Sequence, residues 1–167
     1  MTDRLLIRVR QAFPKVRPFD RPTWSPPDNN YNCIAWAAED VSEWWWPVGD
    51  VIGSRGTPKP SYWPAGVPRE KTIPAFIQAF ETLGYTKCDN AQLETGFVKV
   101  ALYAKLAGTS GPTGQAKKQP THMARQRPDG TWTSKLGNGP DIIHETLECV
   151  EGRDYGSVEV ILRKPIV

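Results

Sequence analysis

The stretch that decides the fold is residues 121–135, THMARQRPDGTWTSK, which predicts a β-hairpin. Two segments that suit strands flank the turn at 127–130, where Pro-Asp-Gly is typical of a tight turn. A β-like segment at 96–104 precedes the hairpin, and another at 156–164 follows it. Because hairpin partners run in opposite directions, we predict an antiparallel sheet in the C-terminal half of the chain.

Two helices are predicted before these strands. Residues 72–84, TIPAFIQAFETLG, combine a capping threonine, an early proline, an apolar stripe and a closing glycine. Residues 32–40, NCIAWAAED, suit a short buried helix that is capped by Asn32 and carries Cys33 in its first turn. A polar loop at 108–120 and a helix from Asp141 to Val150 are also expected. Helices followed by an antiparallel sheet with one inserted helix predict an α+β fold.

Length and composition favour a single soluble domain. The chain has 167 residues, is 39% hydrophobic and carries a net charge of +3 at pH 7. The charges are scattered, which argues against nucleic-acid binding, and no apolar run is long enough to cross a membrane. Residues 1–31 contain five prolines, which follow a turn of helix predicted at Leu5–Phe13, and are predicted to form a proline-rich extended arm. Residues 32–167 are predicted to form one α+β domain, whose oligomeric state the sequence leaves open.

The cysteines indicate a reducing compartment. Three cysteines cannot all pair, and their spacing is not that of a disulfide framework, so we expect free thiols and a cytoplasmic protein. We predict neither a cofactor nor a metal. The four residues that could bind zinc lack the short paired spacing of structural zinc motifs; they are Cys33, His122, His144 and Cys149.

Cys33 and His122 form the candidate catalytic pair. A thiol at a helix N-terminus and beside a histidine loses its proton more readily than a free thiol. His122 lies near the start of the first hairpin strand, where the backbone would hold an imidazole rigidly enough to act as a base. A third polar group usually orients such an imidazole. The candidates are Thr133 and Ser134 on the next strand, and Asn138 or Asp141 just beyond it.

Further polar and aromatic residues are candidates for substrate contact. The oxyanion donors would be the backbone N–H of Cys33 with the side chains of Asn30 and Asn32. The aromatic candidates for substrate contact are Trp36, Trp45 and Trp63. Lys135 is interpreted as an exposed side chain or as a charge near a substrate groove. His144 is interpreted as a residue that lies on the surface of the predicted helix or caps it.

The order of Cys33, His122 and a polar residue on the following strand resembles that of the papain-like cysteine hydrolases. The small NlpC/P60-type peptidases and amidases are most similar in size. This resemblance implies helices packed on an antiparallel sheet in a papain-like arrangement. The chain also resembles an uncharacterised bacterial family of small single-domain proteins. That second resemblance lies in segments such as NCIAWA at 32–37, PTHMAR at 120–125, DGTWTSKLG at 129–137 and DIIH at 141–144.

Two functions from different classes follow from these residues. In the first, the protein is a cysteine-dependent hydrolase or acyltransferase that acts on an amide or ester bond, with a peptide or protein as substrate. In the second, it is a non-enzymatic binding module that uses its tryptophan- and proline-rich surface, and Cys33 is a core thiol. The second hypothesis assigns partner binding to Trp45 or Trp63.

Overall fold

The computed structural model describes residues 3–16, 27–53, 55–109 and 116–166. The helices in these ranges are α1 (Asp3–Ala12), α2 (Cys33–Ala37) and α3 (Ile73–Glu81). The strands are β1 (Asp50–Ile52), β2 (Pro58–Pro60), β3 (Thr86–Cys88), β4 (Phe97–Thr109), β5 (Ala116–Gln126), β6 (Trp132–Lys135), β7 (Asp141–His144) and β8 (Ser157–Pro165). A 3-10 helix spans Leu147–Val150.

Six strands form one antiparallel sheet in the order β3-β8-β4-β5-β6-β7, while β1 and β2 pair separately. The long strands β4 and β5 pair along most of their length, and β8 lies on the other side of β4. Strand β5 pairs with β6 only at two positions, Arg125 with Thr133 and Gln126 with Trp132, whereas all four residues of β6 pair with β7. The sheet therefore splits between β5 and β6, and the candidate site lies at this split.

Each face of the sheet covers its own hydrophobic core. Strand side chains alternate between the faces, so Leu102 packs with α2 and α3, whereas its neighbour Tyr103 packs on the opposite face. The core around α2 and α3 includes Phe76 and Phe80, both completely buried. The second core includes Phe13, which follows α1. We call these the α2 face and the α1 face.

The N-terminal segment contains a helix where the sequence predicts a turn of helix at Leu5–Phe13. Asp3–Ala12 is helical, and the apolar side chains of Val9 and Phe13 bury against the α1 face. These two residues are four positions apart, so they lie on the same side of a helix and can enter the core together. The predicted arm over residues 17–26, with three of its five prolines, lies outside the described residues.

Several local predictions are confirmed. The hairpin of β5 and β6 closes around the 127–130 turn, in which Gly130 has a φ of 88°. Thr72 caps α3 by accepting a hydrogen bond from the Ala75 N–H, and Gly84 follows the helix with a φ of 95°. The structure thus combines a few helices with a mostly antiparallel sheet, as the predicted class requires.

Two local predictions are wrong. The expected helix from Asp141 to Val150 is instead strand β7 followed by the 3-10 helix, because residues 141–144 pair with β6. Much of the expected loop at 108–120 is strand, since β4 extends to Thr109 and β5 begins at Ala116. Residues 110–115 lie outside the described ranges. None of the helices in the described residues is long and apolar enough to cross a membrane.

Candidate functional site

Cys33 begins α2 and is held there by the preceding Asn32. The Asn32 side-chain oxygen accepts hydrogen bonds from the N–H groups of Ala35 at 3.2 Å and Trp45 at 3.1 Å, and its amide donates to the Trp45 carbonyl at 2.7 Å. Asn32 is 3% exposed, so these bonds replace its contacts with water. They engage its side chain in the cap and the core, not in a site for an oxyanion. Asn30, the other predicted amide donor, lies on the surface.

The Cys33 thiol is buried and protonated at neutral pH. Burial is the largest influence on its pKa and raises it to about 11. Hydrogen bonds from the backbone N–H groups of Met123, Ile34 and Cys33 itself act in the opposite direction, as does the ammonium group of Lys135. The surroundings thus contain groups that stabilise a thiolate, but a base must first remove the proton.

His122 is completely buried on β5, on the α1 face. Its ring stacks on Tyr155, with 3.9 Å between ring centroids and 5° between planes. It meets the Tyr103 ring edge to face, with 5.2 Å between ring centroids. Its Nε2 is 2.9 Å from the Ser134 hydroxyl oxygen, while its Nδ1 has no hydrogen-bond partner. Burial, and then the nearby His144, hold the pKa of His122 well below its ordinary value. The imidazole is therefore neutral at neutral pH.

Ser134 joins His122 to the second histidine of the chain. Its hydroxyl oxygen is 2.7 Å from Nε2 of His144, and the other His144 ring nitrogen, Nδ1, is 2.8 Å from the Thr146 carbonyl oxygen. All three side chains of this His122–Ser134–His144 chain are fully buried. His144 reaches Ser134 because it is on β7, next to β6, and not on the surface of a helix as its sequence context predicted.

Of the other three candidates for orienting His122, Thr133 and Asp141 lie on the α2 face, and Asn138 is exposed in the turn between β6 and β7. Thr133 accepts a hydrogen bond from the indole N–H of Trp36 at 3.1 Å and donates one to the Ile142 carbonyl at 3.0 Å. Asp141 is opposite Lys135 in the β6–β7 register. Adjacent strand residues point to opposite faces, so only Ser134 among these candidates contacts His122.

Cys33 and His122 lie on opposite sides of β5. Cys33 packs with Met123 on the α2 face, whereas His122 contacts Tyr103 on the α1 face. The structure contains no hydrogen bond between them. Cys33 nonetheless acts electrostatically on the ring that covers His122: burial and then the Cys33 thiolate raise the pKa of Tyr155. The two groups would have to turn toward each other through this split to form a pair.

Lys135 is fully buried, in contrast to the exposed side chain that the sequence predicted. Its ammonium group donates hydrogen bonds of 2.8 Å to the carbonyls of Asp28 and Gly137 and lies 4.9 Å from the centre of the Tyr31 ring. Burial lowers the pKa of Lys135, an effect that Asp28, Cys33 and Asp141 oppose. Lys135 thus places a positive charge on the α2 face, within electrostatic reach of the Cys33 sulfur.

The predicted aromatic contacts divide between core and surface. Trp45 and Trp63 are each 4% exposed, and their indole N–H groups donate to Asp40 at 2.8 Å and to the Pro68 carbonyl at 3.0 Å. They pack against Phe80 and Phe76 in the core. Trp36 is only partly buried, and the Arg125 guanidinium lies 4.9 Å from the centre of its ring.

Trp36 also lines a cavity of about 1100 Å³ beside the end of the β5–β6 hairpin. The walls combine apolar side chains with charges of both signs, among them Phe97, Ile166, Glu39, Arg125 and Asp141. Cys33 and His122 are not among its lining residues. No cluster of three histidine, cysteine, aspartate or glutamate side chains in the described ranges could hold a metal ion.

The fold and the site define a small mixed α and β protein in which a buried thiol and a histidine–serine–histidine chain flank one strand. A family model described as a domain of unknown function, DUF7689, matches residues 23–163. This match covers most of the chain, and the protein belongs to that family. Neither a curated protein nor a solved structure matches the chain.

Proposed function

We propose that the protein is a cysteine-dependent hydrolase or acyltransferase that acts on an amide or ester bond, with Cys33 as nucleophile and His122 as base. One observation carries the proposal: the buried His122 ring has one nitrogen bonded to Ser134 and the other without a partner. An unpaired buried polar atom costs about 1–3 kcal/mol. A base that must accept a proton needs such a nitrogen.

The proposed reaction has two steps that share one thioester. The Cys33 proton moves to Nδ1 of His122, the sulfur bonds to the substrate carbonyl carbon, and the carbonyl oxygen takes up negative charge. The bond from carbon to the amine or alcohol breaks, and that group leaves with the proton from His122. Water, or an acceptor amine or alcohol, then attacks the thioester and gives its proton to His122. The proton returns to the sulfur as the carbon–sulfur bond breaks.

Residues around the sulfur supply the remaining roles. The backbone N–H of Cys33 is the proposed oxyanion donor, and Lys135 stabilises the thiolate through its positive charge. Ser134 orients His122. Substrate binding must open the split between β5 and β6 so that Nδ1 of His122 reaches the sulfur. This requirement fits the resting state, in which burial keeps the thiol protonated.

The resemblance to papain-like hydrolases of the NlpC/P60 type supports the same function. The order of Cys33, His122 and Ser134 along the chain resembles that of those enzymes, and Ser134 contacts His122 from the strand that follows it. The proposed substrate is a peptide or protein. A cytoplasmic location, which we propose from the cysteine content, would keep the nucleophile reduced.

A second candidate function is ligand binding without chemistry, which the cavity beside Trp36 favours. Three tryptophans were predicted to contact a ligand. Trp45 and Trp63 are buried, whereas Trp36 lines the cavity. In this alternative, Cys33 is a core thiol. Its replacement by serine would then lower stability and change no turnover.

Mass spectrometry of the intact protein after mixing with p-nitrophenyl acetate, a small activated ester, tests the proposal. We expect one acetyl group on Cys33, lost in both Cys33→Ser and His122→Gln. The matched control is Cys88→Ser, which removes a more exposed thiol and should keep the adduct. Absence of a Cys33 adduct, or an adduct formed equally fast in His122→Gln, would contradict the proposal. A Cys33→Ser protein that loses turnover but keeps its melting temperature would reject the binding-only alternative.

A further inference from the structure

We infer that His144, acting through Ser134, is a positioning residue that fixes the tautomer of His122, with the proton on Nε2 and the lone pair on Nδ1. The inference about the tautomer stands on hydrogen-bond geometry together with one premise, that His144 is neutral. Its use in catalysis rests on the proposed function. The residues involved are His122, Ser134, His144 and Thr146.

The direction of the hydrogen bonds is set at the far end of the chain. A backbone carbonyl only accepts hydrogen bonds, so the 2.8 Å contact with the Thr146 oxygen requires a proton on Nδ1 of His144. A neutral imidazole carries one ring proton. Nε2 of a neutral His144 is therefore an acceptor.

The hydroxyl of Ser134 then determines which group donates in the contact with His122. Ser134 has one proton, and it must donate that proton to Nε2 of His144, 2.7 Å away. Its oxygen can then only accept in the second contact, at 2.9 Å, so Nε2 of His122 is the donor. A neutral His122 with a proton on Nε2 has a lone pair on Nδ1, the nitrogen that lacks a hydrogen-bond partner.

The arrangement gives the two histidines opposite tautomers. His144 carries its proton on Nδ1, and His122 carries its proton on Nε2. Both side chains are fully buried, so water does not compete for these contacts. When Nδ1 of His122 accepts a proton, the ring gains a positive charge while Ser134 still accepts from Nε2. The chain thus supports the imidazolium without any rearrangement of protons.

Nitrogen NMR of tag-free protein that carries ¹⁵N-labelled histidine tests the inference directly. The sequence contains two histidines, so four ring nitrogens are observed, and their shifts separate protonated from unprotonated nitrogens. We expect one ring with the proton on Nδ1 and one with the proton on Nε2. Two rings with the same tautomer, or a doubly protonated His144 at neutral pH, would overturn the inference.

The variant His144→Met isolates the effect, because His122 is then the only histidine left. The Ser134 hydroxyl, released from His144, can donate to Nε2 of His122, so we expect the preferred tautomer to reverse. His144→Gln supplies an amide oxygen near the former Nε2 position and should keep the proton on Nε2 of His122. It also serves as the conservative variant if methionine prevents folding. An unchanged tautomer in His144→Met, or a reversed one in His144→Gln, would refute the role of His144.

The experiments can refute the inference about the tautomer and the proposed function independently of each other. If the NMR pattern is as expected but Cys33 forms no acetyl adduct, the hydrogen-bond chain stands and the hydrolase proposal falls. If the adduct forms and depends on His122 but both rings share one tautomer, the hydrolase proposal stands and His144 has no positioning role. Ser134→Ala should remove the preference for either tautomer of His122, and Ser134→Thr, which keeps a hydroxyl, should retain it.

Discussion

Mild acid should destabilise this protein through His122. The imidazole is buried and neutral, and its pKa is well below the ordinary value of 6.5, first because of burial and second because of His144. The unfolded chain exposes the same ring to water, where it takes up a proton below about pH 6.5. Since the unfolded state then binds more protons than the native state, the free energy of unfolding must fall as the pH falls. Above about pH 7.5 the ring is almost entirely neutral in both states, and this contribution is constant.

The size of this loss in the free energy of unfolding follows from the one extra proton that the unfolded state binds. If the native ring stays neutral down to pH 5, the unfolded state gains RT ln(1 + 10^1.5), which is about 2 kcal/mol at pH 5. This is a large part of the stability of an ordinary domain, which is about 5–15 kcal/mol. The groups that face the ring are Ser134, His144, Tyr103 and Tyr155, and none of them is a carboxylate that could stabilise the imidazolium.

Urea unfolding at several pH values between 5 and 7.5 measures this effect, with His122→Gln as the matched variant. Glutamine keeps an amide donor for Ser134 but has no group that titrates in this range. We expect the difference between the unfolding free energies of the two proteins to change by about 2 kcal/mol between pH 7.5 and pH 5. Parallel curves would show that His122 takes up its proton in the folded protein, and the reasoning from burial would be refuted.

Three further substitutions test the fold by their effect on the free energy of unfolding in urea. Asn32→Ala removes the cap of α2 and both bonds to Trp45, at a cost of about 2–4 kcal/mol. Asn32→Ser keeps an acceptor for the Ala35 N–H without burying a charge and should cost less, so equal losses would contradict the capping role. Phe76→Ala leaves a cavity beside Trp46 and Trp63 and should lower the free energy of unfolding by about 3–5 kcal/mol. Its control is Leu106→Ala, at a side chain that is 60% exposed, which should change the free energy of unfolding by less than about 0.5 kcal/mol. In Gly156→Ala, the new Cβ would lie 2.1 Å from the Ala104 carbonyl oxygen, so we expect a loss of about 3 kcal/mol or more. Gly66 has a similar φ, but no atom lies within 4 Å of a Cβ added there, so Gly66→Ala should lower the free energy of unfolding by only about 1–2 kcal/mol. Similar losses at both positions would rule out the clash at Gly156.

The sequence predicts those parts of the fold that depend on neighbouring residues. Helix α3 has its cap, apolar stripe and closing glycine within 13 positions, and the hairpin has its turn between two strand-like segments. Asn32 is another local signal, because a capping side chain contacts a backbone N–H only three residues away. Each of these features forms with little help from the rest of the chain.

The errors arise where distant pairing decides the structure. Asp141 is a good helix cap and Ile142-Ile143 suits either element, but β6 offers a strand to pair with and residues 141–144 extend along it. The burial of Lys135 likewise depends on the Asp28 carbonyl, 107 positions away. The two adjacent isoleucines, which favour strands, were the available signal for β7 and for His144 on it.

The site was predictable as a set of residues but not as a geometry. The sequence named Cys33, His122 and Ser134, and the structure places Ser134 in contact with His122. It could not tell on which face of β5 each side chain lies, since a shift of one residue in strand register reverses the faces. That register depends on β4 and β8, and it puts the thiol and the imidazole on opposite sides of the strand.

The enclosure of Lys135 has a consequence for the chemistry of the protein surface. A primary amine reacts with acylating reagents, with sugars and with modifying enzymes only when it can leave its hydrogen bonds and meet them. The Lys135 amine is bound to two carbonyls beneath the surface, whereas Lys118 and Lys59 extend into solvent. Covalent tagging at position 135 would therefore record each opening of this part of the molecule, while the outer lysines react whether it is open or closed.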